Sequence, residues 1–284
     1  MTATLLVIAS AALHAAWNAL LKRHPSPRLA GALILIIASL AASVPAVLAP
    51  EVAFPSRASF VWTLAAGLGE AAYFVTLARA LDAAPLGVAY TITRGGSIVL
   101  VWPLSVLFFH ERAGTWAILG VVAVVLGLAL TGFAPAPRKE GAEGGARAGV
   151  AWAAVCAVFI ALVYIFYKQA LTLGSSRTAL FAVSLLVAAP LNVLALGRGA
   201  PQRLVAAMKA TPGTLLVAGL VCTASFLLFL GALHDSGAGR VLTLRNTSVV
   251  FAHAFAWLGG VSAPRPVLVG GVLVVLGAVL LGGG

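Results

Sequence analysis

Three ionisable side chains sit deep inside otherwise apolar runs. Glu70 lies about ten residues into the run 60–81, Arg94 about eight into 86–108, and Arg245 about seven into 238–259. Charge at such depth is expensive in lipid and persists where it meets a partner or lines a cavity. Arginine keeps its proton in these surroundings and presents a planar fork of donors suited to carboxylate or phosphate-type oxygens. Two arginines against one glutamate leave a positive surplus, which reads as an anion-binding cavity. The competing reading is structural: Arg94 pairs with Glu70 and ties two helices together, while Arg245 snorkels or bonds backbone carbonyls. Glu70 is pulled two ways. Burial in lipid favours the neutral acid, which suits proton coupling, whereas a neighbouring guanidinium favours the carboxylate.

A polar stripe runs along the first apolar segment. His14, Asn18 and Lys22 recur every four residues and share one helix face, with Trp17 beside them. Tyr164 and Lys168 form the matching stripe in the second half. Tyr90 precedes Arg94 by four residues, Ser97 follows it by three, and Ser248 follows Arg245 by three, so these can share the arginine faces. His14, Asn18, Tyr90, Tyr164, Ser97 and Ser248 are therefore candidate substrate-binding residues alongside Arg94 and Arg245, with Glu70 as the candidate coupling residue. For His14 and Asn18 the alternative is hydrogen bonding between helices. Lys22 and Lys168 read as snorkelling anchors. His110-Glu111-Arg112 and His234-Asp235 fall at segment ends, where helix termini recruit polar groups. Trp62, Trp116 and Trp257 fit an aromatic belt.

The elements that must hold these residues follow from composition. Apolar residues make up 62% of the chain, charged residues 9%, and mean hydropathy is +1.08; a soluble domain carries about a quarter charged residues. Apolar segments of the ~20 residues needed to cross a bilayer fall near 3–21, 29–49, 60–81, 86–108, 114–134, 148–171, 178–197, 213–233, 238–259 and 266–283. Runs of this length without strict alternation exclude a β-barrel. The first segment continues past the cleavage-like Ala9-Ser10-Ala11 and reads as a retained helix. The net charge of +11 is dispersed through the breaks between segments instead of forming a patch, so no nucleic-acid partner is expected. Cys156 and Cys222 lie inside apolar runs without metal or redox spacing; neither cofactor nor metal is expected.

A polar stretch at 135–147 divides the chain, and its halves resemble each other. LGVVAVVLGLALTG at 119–132 aligns with VGGVLVVLGAVLLG at 269–282, including three glycines, and Arg94-x-x-Ser97 aligns with Arg245-x-x-Ser248. The expected organisation is a five-helix repeat over 1–134, a linker over 135–147, and a second repeat over 148–284. Five spans are an odd number, so the second copy enters the membrane inverted. The expected fold is an all-α integral membrane protein of about ten transmembrane helices in two inverted five-helix repeats, a plan recurrent among secondary transporters. Inversion measures the depths of Arg94 and Arg245 from opposite faces and brings both near the midplane.

With HAAWNALLK at 14–22, LDAAPLGVAYTITRG at 81–95 and FFHER at 108–112, the chain resembles the EamA-type ten-helix carriers of the drug/metabolite transporter superfamily; the first string is closest to a subgroup associated with phosphonate utilisation. Gly95-Gly96 stands where many relatives have a proline, and VSAPR at 261–265 replaces a second His-Glu-Arg close. The resemblance implies a multi-pass protein of a bacterial inner (plasma) membrane, monomeric or homodimeric. It would carry a small-molecule substrate such as an amino acid or organic phosphonate by alternating access, with a proton or other coupling ion. It also implies that the glycine-spaced fifth helix of each half packs within the molecule. A lipid-carrier flippase is an alternative. A membrane-embedded enzyme is disfavoured: one carboxylate lies at mid-membrane depth, and no HExxH or Ser-His constellation is present. Basic residues number about 11 on the face of the loops near 22–28, 79, 138–147, 198–209 and 265, against about five on the other, a bias that orients membrane proteins. That bias places both termini outside, whereas the resemblance implies cytoplasmic termini.

Overall fold

The computed structural model describes residues 2–109, 114–133, 145–235, 241, 244–261 and 263–282. The His110-Glu111-Arg112 close, most of the midpoint linker, and the side chains of His234 and Asp235 lie outside the described residues. The helices are α1 (Thr2–Arg23), α2 (Pro27–Leu48), α3 (Arg57–Ala83), α4 (Leu86–Phe109), α5 (Thr115–Gly132), α6 (Gly145–Thr172), α7 (Arg177–Ala195), α8 (Ala200–Ala210), α9 (Pro212–Asp235), α10 (Ser248–Leu258) and α11 (Arg265–Gly282). Among the described residues there is no strand. Six helices, α1, α2, α3, α6, α7 and α9, are long and apolar enough to cross a membrane, and α5, α10 and α11 hold shorter apolar stretches.

The molecule is apolar outside and polar at its centre. Leu40, Val44, Leu126, Leu216, Leu220, Val272 and Val279 are largely exposed, while His14, Asn18, Glu70, Arg94 and Arg245 are buried. That inversion of the soluble pattern follows from lipid as the surrounding solvent. Trp116 and Trp257 are exposed near helix ends, as a belt requires.

Local chemistry sets the boundaries. Ser26 caps α2 by accepting from Leu29 N, with Pro27 at the first turn, where a missing N–H is harmless. Ser56 and Ser59 form a capping box at α3. Lys22, expected as a snorkelling anchor, instead donates its ammonium to the Leu81 and Ala84 carbonyls. The last carbonyls of α3 need donors, and a lysine ending α1 supplies them. Two features were not visible as segments. Residues 200–210 were assigned to a connection, but they form α8, an amphipathic helix burying Ala200, Leu204 and Ala207. The expected continuous span 238–259 carries a turn at Asn246–Thr247, where Thr247 Oγ1 donates to Leu244 O (2.7 Å); such local bonding competes with the helical ladder.

The helices pair in a consistent order. α3 packs on α6 and α1 on α9; α3 on α7 and α2 on α9; α4 on α6 and α1 on α10; α2 on α7 and α5 on α11. The last pair is the tightest in backbone terms. A Cβ on Gly127 would come 2.5 Å from Gly270 O, and one on Gly277 would come 2.5 Å from Gly120 O. As one helix advances seven residues the other retreats seven, so α5 and α11 run antiparallel through a glycine seam. The glycines pack within the molecule, permitting the close approach typical of small-residue interfaces.

Gly277→Val should therefore destabilise the protein by about 1–3 kcal/mol through overpacking. Gly213→Ala, whose Cβ would meet nothing within 4 Å, should be neutral. Thermal unfolding in detergent checks both; equal melting temperatures would rule out backbone contact at the seam.

Candidate functional site

The polar stripe of α1 supplies the centre of the site. His14, fully buried, stands between the two arginines: Arg94 Nη2 reaches its Nε2, and Arg245 Nη2 lies 3.1 Å from its Nδ1. The arginines arrive from different elements, Arg94 from the third turn of α4 and Arg245 from the residue just before the Asn246–Thr247 turn. They meet on one imidazole ring and are respectively 4% and 1% exposed. Each has a second tether. Arg94 Nη1 donates to Tyr164 Oη on α6 (2.8 Å), and Arg245 Nη1 donates to Ser10 Oγ on α1 (2.6 Å). Ser10 and Ser225 cross-link α1 to α9, each hydroxyl donating to the other's carbonyl at 2.7 and 2.9 Å.

Aromatic rings wall the cluster. The Arg245 guanidinium sits 4.0 Å from the Phe229 ring centre and 5.0 Å from that of Phe226, and Arg94 lies 5.5 Å from Tyr90. Cation–π contact partly replaces lost hydration. Trp17 stacks on Phe74 behind the imidazole.

Counting donors defines what the site can do. Trp17 Nε1 also donates toward His14 Nδ1 (3.3 Å), and Tyr73 Oη lies 3.5 Å from Nε2. A neutral imidazole offers one lone pair and one N–H, whereas guanidinium and indole N–H groups only donate. Either tautomer thus leaves an imidazole N–H facing an obligate donor, and protonating the ring leaves two. The cluster has more donors than acceptors and more positive than negative charge. Glu70 does not relieve it. The Glu70 carboxylate accepts from Tyr167 Oη (2.9 Å), which also contacts Ser184 Oγ (3.0 Å). The Arg94–Glu70 pair that would make the arginine purely structural is not formed; among the described residues the ion pair present is Arg28–Asp82, near the surface.

Buried polar atoms without a hydrogen bond of full geometry concentrate here. Asn18 Oδ1, Tyr90 Oη, Arg245 Nε and Ser248 Oγ are four of the seven found among the described residues, and Glu70 Oε2, beside Tyr167, is a fifth. The structure thus gathers His14, Arg94, Arg245, Tyr90 and Tyr164 at one place. Asn18 and Ser97 bond the backbone of their own helices, Asn18 Nδ2 to His14 O and Ser97 Oγ to Arg94 O. Glu70 stands apart with Tyr167. Ser10, Tyr73, Tyr167, Ser225, Phe226 and Phe229 were not anticipated, although Ser10 is one step further along the His14 stripe, and Tyr73 and Tyr167 follow Glu70 and Tyr164 by three.

The described residues form a helical bundle with an apolar surface and a buried, donor-rich centre, and three comparisons say which known proteins it resembles. Residues 147–283 match the model of the EamA-like transporter family. A 65-residue stretch, 23% of the chain, is 38% identical to the quaternary ammonium compound-resistance protein QacF of Klebsiella aerogenes and spans 57% of that relative's length. A crystal structure 21% identical in sequence shares the fold over 98% of this chain and 97% of its own, with a TM-score of 0.57. The chain is a multi-pass membrane protein.

Replacing Tyr167 with Phe keeps the ring and removes a hydrogen bond to a buried carboxyl, so Tyr167→Phe should lose roughly 1.5–3 kcal/mol of stability. Unfolding in detergent measures it. An unchanged midpoint would show that Glu70 does not depend on this donor.

Proposed function

We propose that the protein is a secondary active transporter of a small anion-bearing metabolite, such as an amino acid or an organic phosphonate, in a bacterial inner membrane. The observation that carries this reading is the surplus of donors around His14: an anionic group between Arg94 and Arg245 would supply the acceptors that the protein's own residues lack. Tyr90, Tyr164 and Ser248 would contact the remainder of the substrate. Glu70, whose Oε2 has no partner, is the proposed proton-coupling carboxyl.

Alternating access on two inverted halves is part of the same proposal. Exchanging the first five spans for the last five maps the α3–α6 pair onto α1–α9, α3–α7 onto α2–α9, and α4–α6 onto α1–α10, and returns α2–α7 and α5–α11 to themselves. The contact of Gly67 with Ser184 and Val187 is likewise echoed by that of Gly219 with Ile34 and Ile37. Repeat-equivalent α5 and α11 run antiparallel, as inversion demands. Arg245 adjoins an interruption in its helix, the kind of element that builds midplane sites in transporters.

Liposomes carrying the purified protein should take up labelled amino acids or alkylphosphonates chemically unchanged. Arg94→Ala and Arg245→Ala should each weaken binding at least about a hundredfold, since each strands a buried charge partner. Wild-type binding in both variants would end the anion-site reading; conversion to product would indicate an enzyme, and lipid movement alone a flippase. A second reading follows from Glu70 Oε2 and the cation named for QacF. A quaternary ammonium cargo would be lost in Glu70→Gln and retained in Arg94→Ala.

A further inference from the structure

A polar cavity lies away from the His14 cluster, among helix ends. Its volume is about 330 Å³, and it is lined by the start of α2, the ends of α3 and α7, and α8. That volume falls at the small end of the ~300–1,000 Å³ typical of ligand sites. Three guanidiniums, from Arg28, Arg79 and Arg203, face one carboxylate, that of Asp82. Asn192 lines the same cavity but bonds backbone, to Ala71 O (3.2 Å) and Ala188 O (3.0 Å).

The arginines are held rather than neutralised. Arg79 is fixed by stacking 4.4 Å above the Trp152 ring. It makes no hydrogen bond or ion pair among the described residues, so its donor fork is unspent. Arg203 is anchored by Nη2 to Leu196 O (2.6 Å) and by Nε to Gly199 O (3.4 Å), which caps the end of α7 while keeping positive charge at the rim. Arg28 shares Asp82 at 3.6 Å through Nε. It also sits in the first turn of α2, whose N-terminus carries a partial positive charge. The pocket lies where helices end, beside an amphipathic helix that buries Leu204 and leaves Arg203 and Val205 exposed. Basic pockets between membrane helices are where anionic headgroups are recognised.

We propose that this cavity is a binding site for a phosphate-type anion, distinct from the central site. Arg79 would supply a bidentate contact, Arg203 and Arg28 further charge, and Asp82 the position of Arg28. The anion could be delivered by a phospholipid headgroup in the adjoining leaflet or by a soluble phosphate. This assignment does not depend on transport of an anion through the centre.

The test uses the full-length protein in a neutral detergent, titrated by thermal shift. The probes are inorganic phosphate, short-chain phosphatidylglycerol and short-chain phosphatidylcholine. Phosphatidylglycerol should raise the melting temperature and phosphatidylcholine should not. Stabilisation by phosphate as well indicates a soluble source, and by phosphatidylglycerol alone a lipid source. In Arg79→Gln/Arg203→Gln the half-saturating concentration should rise about tenfold or more, as expected for losing charge-assisted hydrogen bonds. Arg94→Ala should leave it unchanged, which separates failure here from failure at the central site. Should the double variant not fold, Asp82→Asn decides: removing the competing carboxylate should lower the half-saturating concentration. Equal response to both lipids, no response to either anion, or indifference to all these substitutions overturns the proposal.

Discussion

Two buried guanidiniums share one imidazole, and much of the architecture follows from keeping them there. An unsatisfied charge in a lipid-surrounded bundle is strongly destabilising, so each arginine must be tethered from more than one direction. Arg94 joins α4 to α1 and α6; Arg245 joins the first part of the 238–259 region to α1. The Ser10–Ser225 exchange then fixes α1 against α9, and the faces of Phe226 and Phe229 stand where water would otherwise be needed. Polar groups thus knit together helices that hydrophobicity alone would not sort, because lipid is as apolar as their side chains.

The same tethers bear on function. Donors fixed in place before a ligand arrives need little reorganisation when it binds. A cluster with too many donors is also poised: under the proposed function an anion would resolve the conflict at His14, and its departure would restore it. Coupling of occupancy to rearrangement requires a difference of this kind between states. The Glu70 carboxyl bonds Tyr167 across the α3–α6 contact and not either arginine, so the proposed coupling and anion-binding roles fall on different atoms.

Depth was the part of the site legible in the sequence. Arg94, Arg245 and Glu70 announce themselves as charges far inside apolar runs, and the period-four spacing of His14 and Asn18 gives their shared face. Ser10 and Ser225 were illegible because a serine in an apolar helix commonly bonds its own backbone; only the fold shows that these two bond each other. The partner of Glu70 was illegible for a different reason: electrostatics favoured an arginine, and helix packing delivered Tyr167. Hydropathy reported the long helices but smoothed over the turn after Arg245, since VLTLRNTSVV is apolar on both sides of it. It also missed α8, which is only 11 residues long and in which Pro201, Gln202, Arg203 and Lys209 offset the apolar side chains.

The glycine seam has one more consequence. Gly120 meets Gly277 and Gly127 meets Gly270, and the two 14-residue strings that carry them are identical at eight positions. Each helix therefore offers its neighbour the surface that the neighbour offers in return, which is the rule of a twofold, self-complementary contact. A contact of that kind needs no covalent link between its two sides. Two separate copies of one short ancestor could have met along it face to face, and the fused chain would have inherited a dimer interface as its internal axis.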